Sequence, residues 1–330
     1  MNIQSNTMPE SSFDGQSGAP AAVSAARLAY WSIRRELWEN RSIYIAPLVV
    51  AGVALLAFLF TLSYLPANVR KLAALEATRQ HTLLSIPYDA SAIVIILVSV
   101  LVGLYYSLEA LHSERRDRSI LFWKSLPVSD LTTVLSKAIV PLVVMPLLAF
   151  AIIVALQLIM LLLSTVVLLS SGANAAAPWT QRPMFEMSLV LLYGLATLAV
   201  WYAPIYGWLL LVSAWAQRAT LLWAVLPPLL ISVGERLVFH TSYFGSMLKS
   251  RLFGGFAQAF VAKAHDSGAV LGESGNAAAR RLTSDQLAQI LNPIPDPVKF
   301  LSTPGVWIGL VVAAALLAGA VWLRRHREPM

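Results

Sequence analysis

The residues with chemistry in them are few, and most crowd into one stretch. Glu109, His112, Glu114, Arg115, Arg116, Asp117, Arg118, Lys124, Asp130 and Lys137 lie between two long apolar runs. Glu109 and His112 stand one helical turn apart, so a carboxylate and an imidazole could share a face, with Asp117 close by. That trio is the one local arrangement an enzyme at a membrane interface could use for proton transfer. The same stretch carries Ile120, Leu121, Phe122 and Trp123 among its charges. A turn between membrane helices needs only a few polar residues. Aromatic and aliphatic side chains bracketed by arginines are instead the composition of a surface that docks another protein.

Other chemistry is thin. His81, His240 and His265 are not at metal-ligand spacing. Cysteine is absent, which excludes disulfides, zinc-thiolate sites and thiol chemistry and leaves the redox compartment open. The chain has no G-x-x-x-x-G-K-[ST] phosphate loop, and Gly254-Gly255 is an isolated pair rather than a phosphate cradle. No catalytic, cofactor-binding or metal-binding residue is therefore assigned.

The elements that position the charged stretch follow from composition. Of 330 residues, 58% are hydrophobic and 12% charged, and the mean hydropathy is +0.68. Soluble domains carry about 25% charged residues. The apolar residues come in runs near the roughly 20 needed to cross a bilayer, where only helices satisfy their own backbone groups. The fold class is an all-α integral membrane protein. The net charge of +7 fits basic residues on cytoplasmic flanks and near anionic head groups. No basic-aromatic groove or DNA-binding motif accompanies it, so nucleic acid is not an expected partner.

Six spans are expected, at about 43–65, 90–111, 134–169, 186–213, 220–240 and 304–323. The third is too long for a simple crossing: residues 138–169 would extend roughly 48 Å against a hydrocarbon core of about 30 Å. It must tilt, kink at Pro141 or Pro146, or project. Residues 1–22 are polar and rich in Ser, Gly and Pro, the composition of a disordered tail. They lack the pattern of a cleavable signal peptide, so the first span is expected to act as an uncleaved anchor. Residues 23–42 combine Leu28, Trp31, Leu37 and Trp38 with Arg27, Arg34, Arg35, Glu36 and Arg41, an amphipathic helix lying in the interface. Residues 241–303 form an outer segment with one or two short helices. Its NPIPDP sequence at 292–297 is a stiff extended connector into the last span.

Orientation follows the basic residues of the short flanks. With the N-terminus inside, the cytoplasm receives Arg27, Arg34, Arg35 and Arg41, the cluster from Arg115 to Lys137, Arg218, and Arg324, Arg325 and Arg327 of the tail at 324–330. Both termini are then cytoplasmic. Among polar residues of the spans, Gln157, Tyr202, Tyr206 and Glu186 are candidates for lining a pathway, and each has an ordinary structural use as well. Glu109 is expected to pair with Arg115, Arg116 or Arg218. Glu235-Arg236 reads as interface anchoring or a mutual pair.

Between its second and third spans the chain runs Glu114-Arg115, then Ile120-Leu121, then Leu126-Pro127-Val128-Ser129, then Lys137. In this it resembles the membrane subunits of ABC-2-type transporters. They carry there a glutamate-arginine start, a short apolar helix, a Leu-Pro-Val-Ser-like turn and a following lysine. Asp117-Arg118-Ser119 departs from the Gly-Thr pair of many relatives. The resemblance extends to the six-span layout, an N-terminal elbow helix and short outer helices before the last span, and so covers about residues 24–325. It implies that residues 113–130 are a cytoplasmic coupling helix seated in a cleft of an ABC ATPase. Glu114, Arg115, Arg116, Asp117, Arg118, Ile120, Leu121, Phe122, Trp123, Lys124, Leu126 and Pro127 would dock, and Arg218 would add a smaller contact. It also implies two copies of that ATPase, which bind ATP and magnesium, and a second permease subunit, identical or related. The setting would be a cell membrane such as the bacterial inner membrane, and the cargo an exported amphipathic molecule. A membrane-embedded enzyme and a non-transporting scaffold are the alternatives.

Overall fold

A computed structural model of the chain describes residues 25–62, 77–116, 129–172, 184–255 and 294–326, with Ala176, Trp179, Phe260 and Val261 besides. The helices are α1 (Ala25–Glu39), α2 (Ser42–Leu62), α3 (Ala77–Glu109), α4 (His112–Arg116), α5 (Asp130–Ile139), α6 (Met145–Ser170), α7 (Met184–Trp215), α8 (Thr220–Val238), α9 (Tyr243–Phe253), α10 (Pro297–Ser302) and α11 (Pro304–His326). A π-helical turn, Val140–Val144, joins α5 to α6. The described residues are helical or in turns, apart from two-residue strands β1 (Phe260–Val261) and β2 (Ile294–Pro295), which pair antiparallel with Phe260 opposite Pro295.

Among the described residues six segments are long and apolar enough to cross a membrane: Ser42–Leu62, Ser85–Glu114, Asp130–Ser170, Met184–Trp215, Thr220–Val238 and Pro304–His326. The protein is a multi-pass, all-helical membrane protein. Its outward faces have the matching chemistry. In α2 the buried residues Ile43, Pro47, Ala51, Phe58 and Leu62 fall at helical spacing on one stripe, while Leu48, Val49, Val53, Leu56 and Phe60 are exposed. In α8 only Thr220 and Ala224 are buried, and the exposed remainder is Leu, Val and Ile over most of its length. Such a surface suits hydrocarbon rather than water.

The second helix departs most from expectation, starting at Ala77 and running through Pro87. The third span is 41 residues long, roughly 60 Å at 1.5 Å per residue, and it breaks where a proline stands. Pro141 sits in the π-turn, where the Met145 amide reaches back five residues to the Val140 carbonyl. Proline lacks the amide that the α-pattern needs and its ring crowds the preceding turn, so the register slips by one residue. Pro146 follows in the first turn of α6, where a missing amide costs little.

The core is layered along the bundle. Phe58, Tyr88, Ile95, Ile153, Met160 and Leu161 join α2, α3 and α6. Ile43, Tyr106, Ala138, Val140, Met145 and Leu210 form a second layer. Helices α7 and α11 pack closely through small residues. A Cβ on Gly207 would lie 3.3 Å from the Ala313 carbonyl, and one on Gly319 3.2 Å from Leu211, which is how helices approach where lipid gives no hydrophobic drive.

The described part of residues 241–303, expected to be an outer segment, contains α9 and α10. Of the connector expected at 292–297, the described part is extended at Ile294–Pro295 and helical from Pro297. Asp296 then caps α10, its carboxylate accepting the Lys299 amide at 2.9 Å, with Pro297 in the first turn, where its fixed φ suits a helix start. Glu235 does not pair with Arg236. It accepts the Tyr243 and Phe244 amides at 2.6 and 2.8 Å, capping α9.

Candidate functional site

Asp130 and Lys137 are seven residues apart on α5 and so share a face. Ser129 caps that helix, its hydroxyl accepting the Thr132 amide at 3.1 Å, which fixes where the face points. Against it lie the last turn of α1, which carries Glu36; α4, which carries Glu114; and the last turn of α11, which carries Arg324.

These side chains form a chain of alternating charge. Lys137 Nζ lies 2.7 Å from Glu36 Oε1 and 3.1 Å from Glu114 Oε1. Arg324 Nη1 donates to Glu114 Oε2 at 2.7 Å, and its Nε donates to Asp130 Oδ1 at 3.0 Å. Tyr106 of α3 closes the other end, donating its hydroxyl to Glu36 Oε2 at 2.8 Å. Glu36, Glu114, Lys137 and Arg324 are each buried to within 8% of full. Two carboxylates and two cations balance, and the third carboxylate, Asp130, sits at the half-exposed rim on a helix N-terminus, where negative charge is favoured. Buried ions are tolerable only when paired and hydrogen-bonded in this way.

A second link lies beside the first. The Ser213 hydroxyl accepts the Leu111 and His112 amides at 3.0 and 2.9 Å, and His112 Nδ1 lies 3.2 Å from the Ala216 carbonyl. These bonds tie the break between α3 and α4 to the end of α7. One end of the bundle therefore gathers α1, α4, the start of α5, the end of α11 and the turn 216–219. The arrangement is a clamp.

Of the residues expected to dock, Glu114 points inward, its carboxylate spent on Lys137 and Arg324. Arg115 and Arg116 lie on α4. Asp117, Arg118, Ile120, Leu121, Phe122, Trp123, Lys124, Leu126 and Pro127 fall outside the described residues. Arg218 is exposed in the turn 216–219, at the same end as α4. Among the described residues Glu109 makes no ion pair; the pairing expected of it belongs to Glu114, with different cations. His112 is held by a backbone carbonyl rather than by Glu109. Among the described residues no group of three or more His, Asp and Glu is placed to hold a metal.

The four candidate pathway residues separate. Tyr202 and Tyr206 share a crevice with Ser99, Pro141, Met145 and Pro146 beside the π-turn, with about 20 Å³ of room, enough for one water. Gln157 is buried in α6 outside it, and Glu186 is exposed in the first turn of α7.

Glu36, Tyr106 and Arg324 were not singled out from the sequence. Glu36 read as one charge of an amphipathic helix and Arg324 as part of a basic tail. The available signal was weak: Glu36 follows Arg34 and Arg35 directly, and Glu39 on the same helix has the same charge. No protein-family model, curated protein or solved structure matches the chain.

Proposed function

We propose that the chain is the membrane subunit of an ATP-driven ABC-2-type exporter, energised by a separate cytoplasmic ATPase that docks on residues 113–130. The observation that carries this is the Glu114–Lys137 ion pair at 3.1 Å. It joins the two flanks of the segment at its base, and the two residues are the first and last of the pattern that resembles the family. A segment fixed at both shoulders can act as a lever, whereas a freely hinged loop would absorb a push.

In this proposal ATP and magnesium bind the partner ATPase, present in two copies, and two permease copies, identical or related, enclose the path. The charged end of the bundle faces the cytoplasm of a cell such as a bacterium, with both termini inside. Helix α1 is the elbow. Its Tyr30, Trp31 and Trp38 are exposed, and the Arg34 guanidinium lies 5.2 and 5.6 Å from the Trp31 and Trp38 rings, a surface suited to the head-group level. The cargo is amphipathic.

The test is co-expression with a phosphate-loop ATPase encoded beside this gene. Wild type is expected to co-purify with it, and joint charge reversal of Arg115, Arg116 and Arg118 to abolish that while the permease stays in the membrane. Survival of the complex would remove the docking assignment. With no native cysteine in the chain, Ser125→Cys should label only from the cytoplasm and Ser267→Cys only from outside; the opposite pattern reverses the topology.

A further inference from the structure

At the end of the bundle opposite the ionic clamp, one cation has only neutral partners among the described residues. Arg251, in the last turn of α9, lies with its guanidinium 4.3 Å from the centre of the Trp201 ring. Its Nη1 donates to the Trp201 carbonyl at 3.3 Å, and its Nη2 donates to the Gly305 carbonyl. The contact is reciprocal, since the Trp201 indole donates to the Arg251 carbonyl at 3.0 Å and the Tyr202 hydroxyl to the Leu252 carbonyl at 2.6 Å.

Two glycines make room for it. A Cβ on Gly255 would come within 2.8 Å of the Trp201 ring, and one on Gly309 would run into the guanidinium itself. The cradle is shaped around a charge, yet no carboxylate pairs with Arg251 among the described residues. Burial pulls its pKa below the ordinary arginine value; the carbonyls and the indole face offset that cost in part, and no carboxylate among the described residues completes it.

Depth can be estimated along two helices. Trp201 stands 14 residues (215 − 201) from the inner end of α7, about 21 Å along the axis. Gly305 stands 19 residues (324 − 305) from Arg324 on α11, about 28 Å. Against a hydrocarbon layer of about 30 Å, Gly305 lies near the far boundary and Trp201 about 9 Å inside it, so the guanidinium between them sits just inside the head groups of that leaflet. The guanidinium carries five N–H groups, and the two bonds to carbonyls leave a fork for an anion. Leu252 and Phe253 beside it are exposed, an apolar flank that an acyl chain can cover.

We propose that Arg251, seated on Trp201 and Gly305, binds the net-anionic phosphate head group of an amphipathic molecule in the leaflet away from the ionic clamp. This deepens the transport proposal, on which it rests only for the step of treating that molecule as cargo. The binding itself needs no ATPase.

The test uses the full chain in nanodiscs with a fluorophore on Leu252→Cys. Head-group spin-labelled phosphatidylglycerol and phosphatidylcholine, each dilute in the same host lipid, are compared as quenchers. The zwitterionic lipid carries a phosphate already neutralised by its choline, so phosphatidylglycerol should quench at about fivefold lower mole fraction. Arg251→Met should remove that preference, Arg251→Lys should keep part of it, and Lys249→Gln, on the exposed side of α9, should leave it unchanged. Equal quenching by the two lipids in wild type, or an undiminished preference in Arg251→Met, would overturn the proposal. Displacement of the labelled lipid by millimolar inorganic phosphate would overturn it too, by assigning the site to soluble anions. Should Arg251→Met not fold, the wild-type comparison and the lysine variant decide. Absence of any co-purifying ATPase would remove the cargo step and leave the binding result standing.

Discussion

The two ends of this bundle treat buried charge in opposite ways. At one end Glu36, Lys137, Glu114 and Arg324 neutralise one another across four helices, with Tyr106 and Asp130 as the outer links. At the other, Arg251 rests on carbonyls and an indole face. A closed set of ions asks for nothing more and is suited to holding elements together. A cation cradled by neutral groups keeps its appetite for an anion. The comparison separates a clamp from a site, although a sequence reader would mark both simply as basic residues near a membrane.

The largest effect should come from cutting the clamp in its middle. Lys137→Met leaves Glu36 and Glu114 buried with one cation fewer, and about 3–5 kcal/mol of stability should be lost, read as thermal or denaturant unfolding in detergent. The double variant Glu36→Met/Lys137→Met should be the milder of the two, because Glu114 keeps Arg324 and no carboxylate is orphaned. A single variant as stable as wild type would mean the ions are not a closed set. Tyr106→Phe comes next. It removes one bond to a charged acceptor, about 1.5–3 kcal/mol by the same measurement.

The sequence showed the layout more readily than the clamp, for a physical reason. Runs of apolar residues declare a span locally, so the six helices could be placed by composition. The start of α3 at Ala77 could not, because Thr78, Arg79, Gln80, His81, Pro87 and Asp89 have the composition of a loop. Contacts between distant residues leave no local trace. Lys137 meets Glu36 across 101 positions and Arg324 meets Glu114 across 210. Glu114 and Lys137 stand out in the sequence as members of one charged stretch, and the family pattern attaches Glu114 to a partner surface rather than to its own helices. Arg251 was hidden for a related reason. Its significance lies in the glycines and the indole around it, and those come from three segments.

At the Arg251 end Gly309→Ala should cost about 1–3 kcal/mol by overpacking, since the new methyl runs into the guanidinium. Gly52→Ala is its control, a helical glycine with nothing within 4 Å of the added carbon, and should be neutral or slightly stabilising. Both are measured by unfolding midpoints. Equal effects at the two glycines would mean that the cradle does not hold Arg251 tightly.

The smallest effect belongs to the shortest ion pair among the described residues. Arg35 Nε and Glu39 Oε1 are 2.6 Å apart, one helical turn along α1, with side chains 31% and 50% exposed. Water competes for both groups, and holding two long side chains in one geometry costs entropy, so such pairs contribute about 0.3–0.5 kcal/mol. Glu39→Gln should therefore shift unfolding almost imperceptibly, although it cuts a contact shorter than either contact of Lys137. Added salt should shrink that small difference further while leaving the Lys137→Met loss nearly intact. If instead the two losses were similar, or fell together with salt, bond length rather than burial would govern these charges, and the distinction between the bundle's two ends would lose its physical basis.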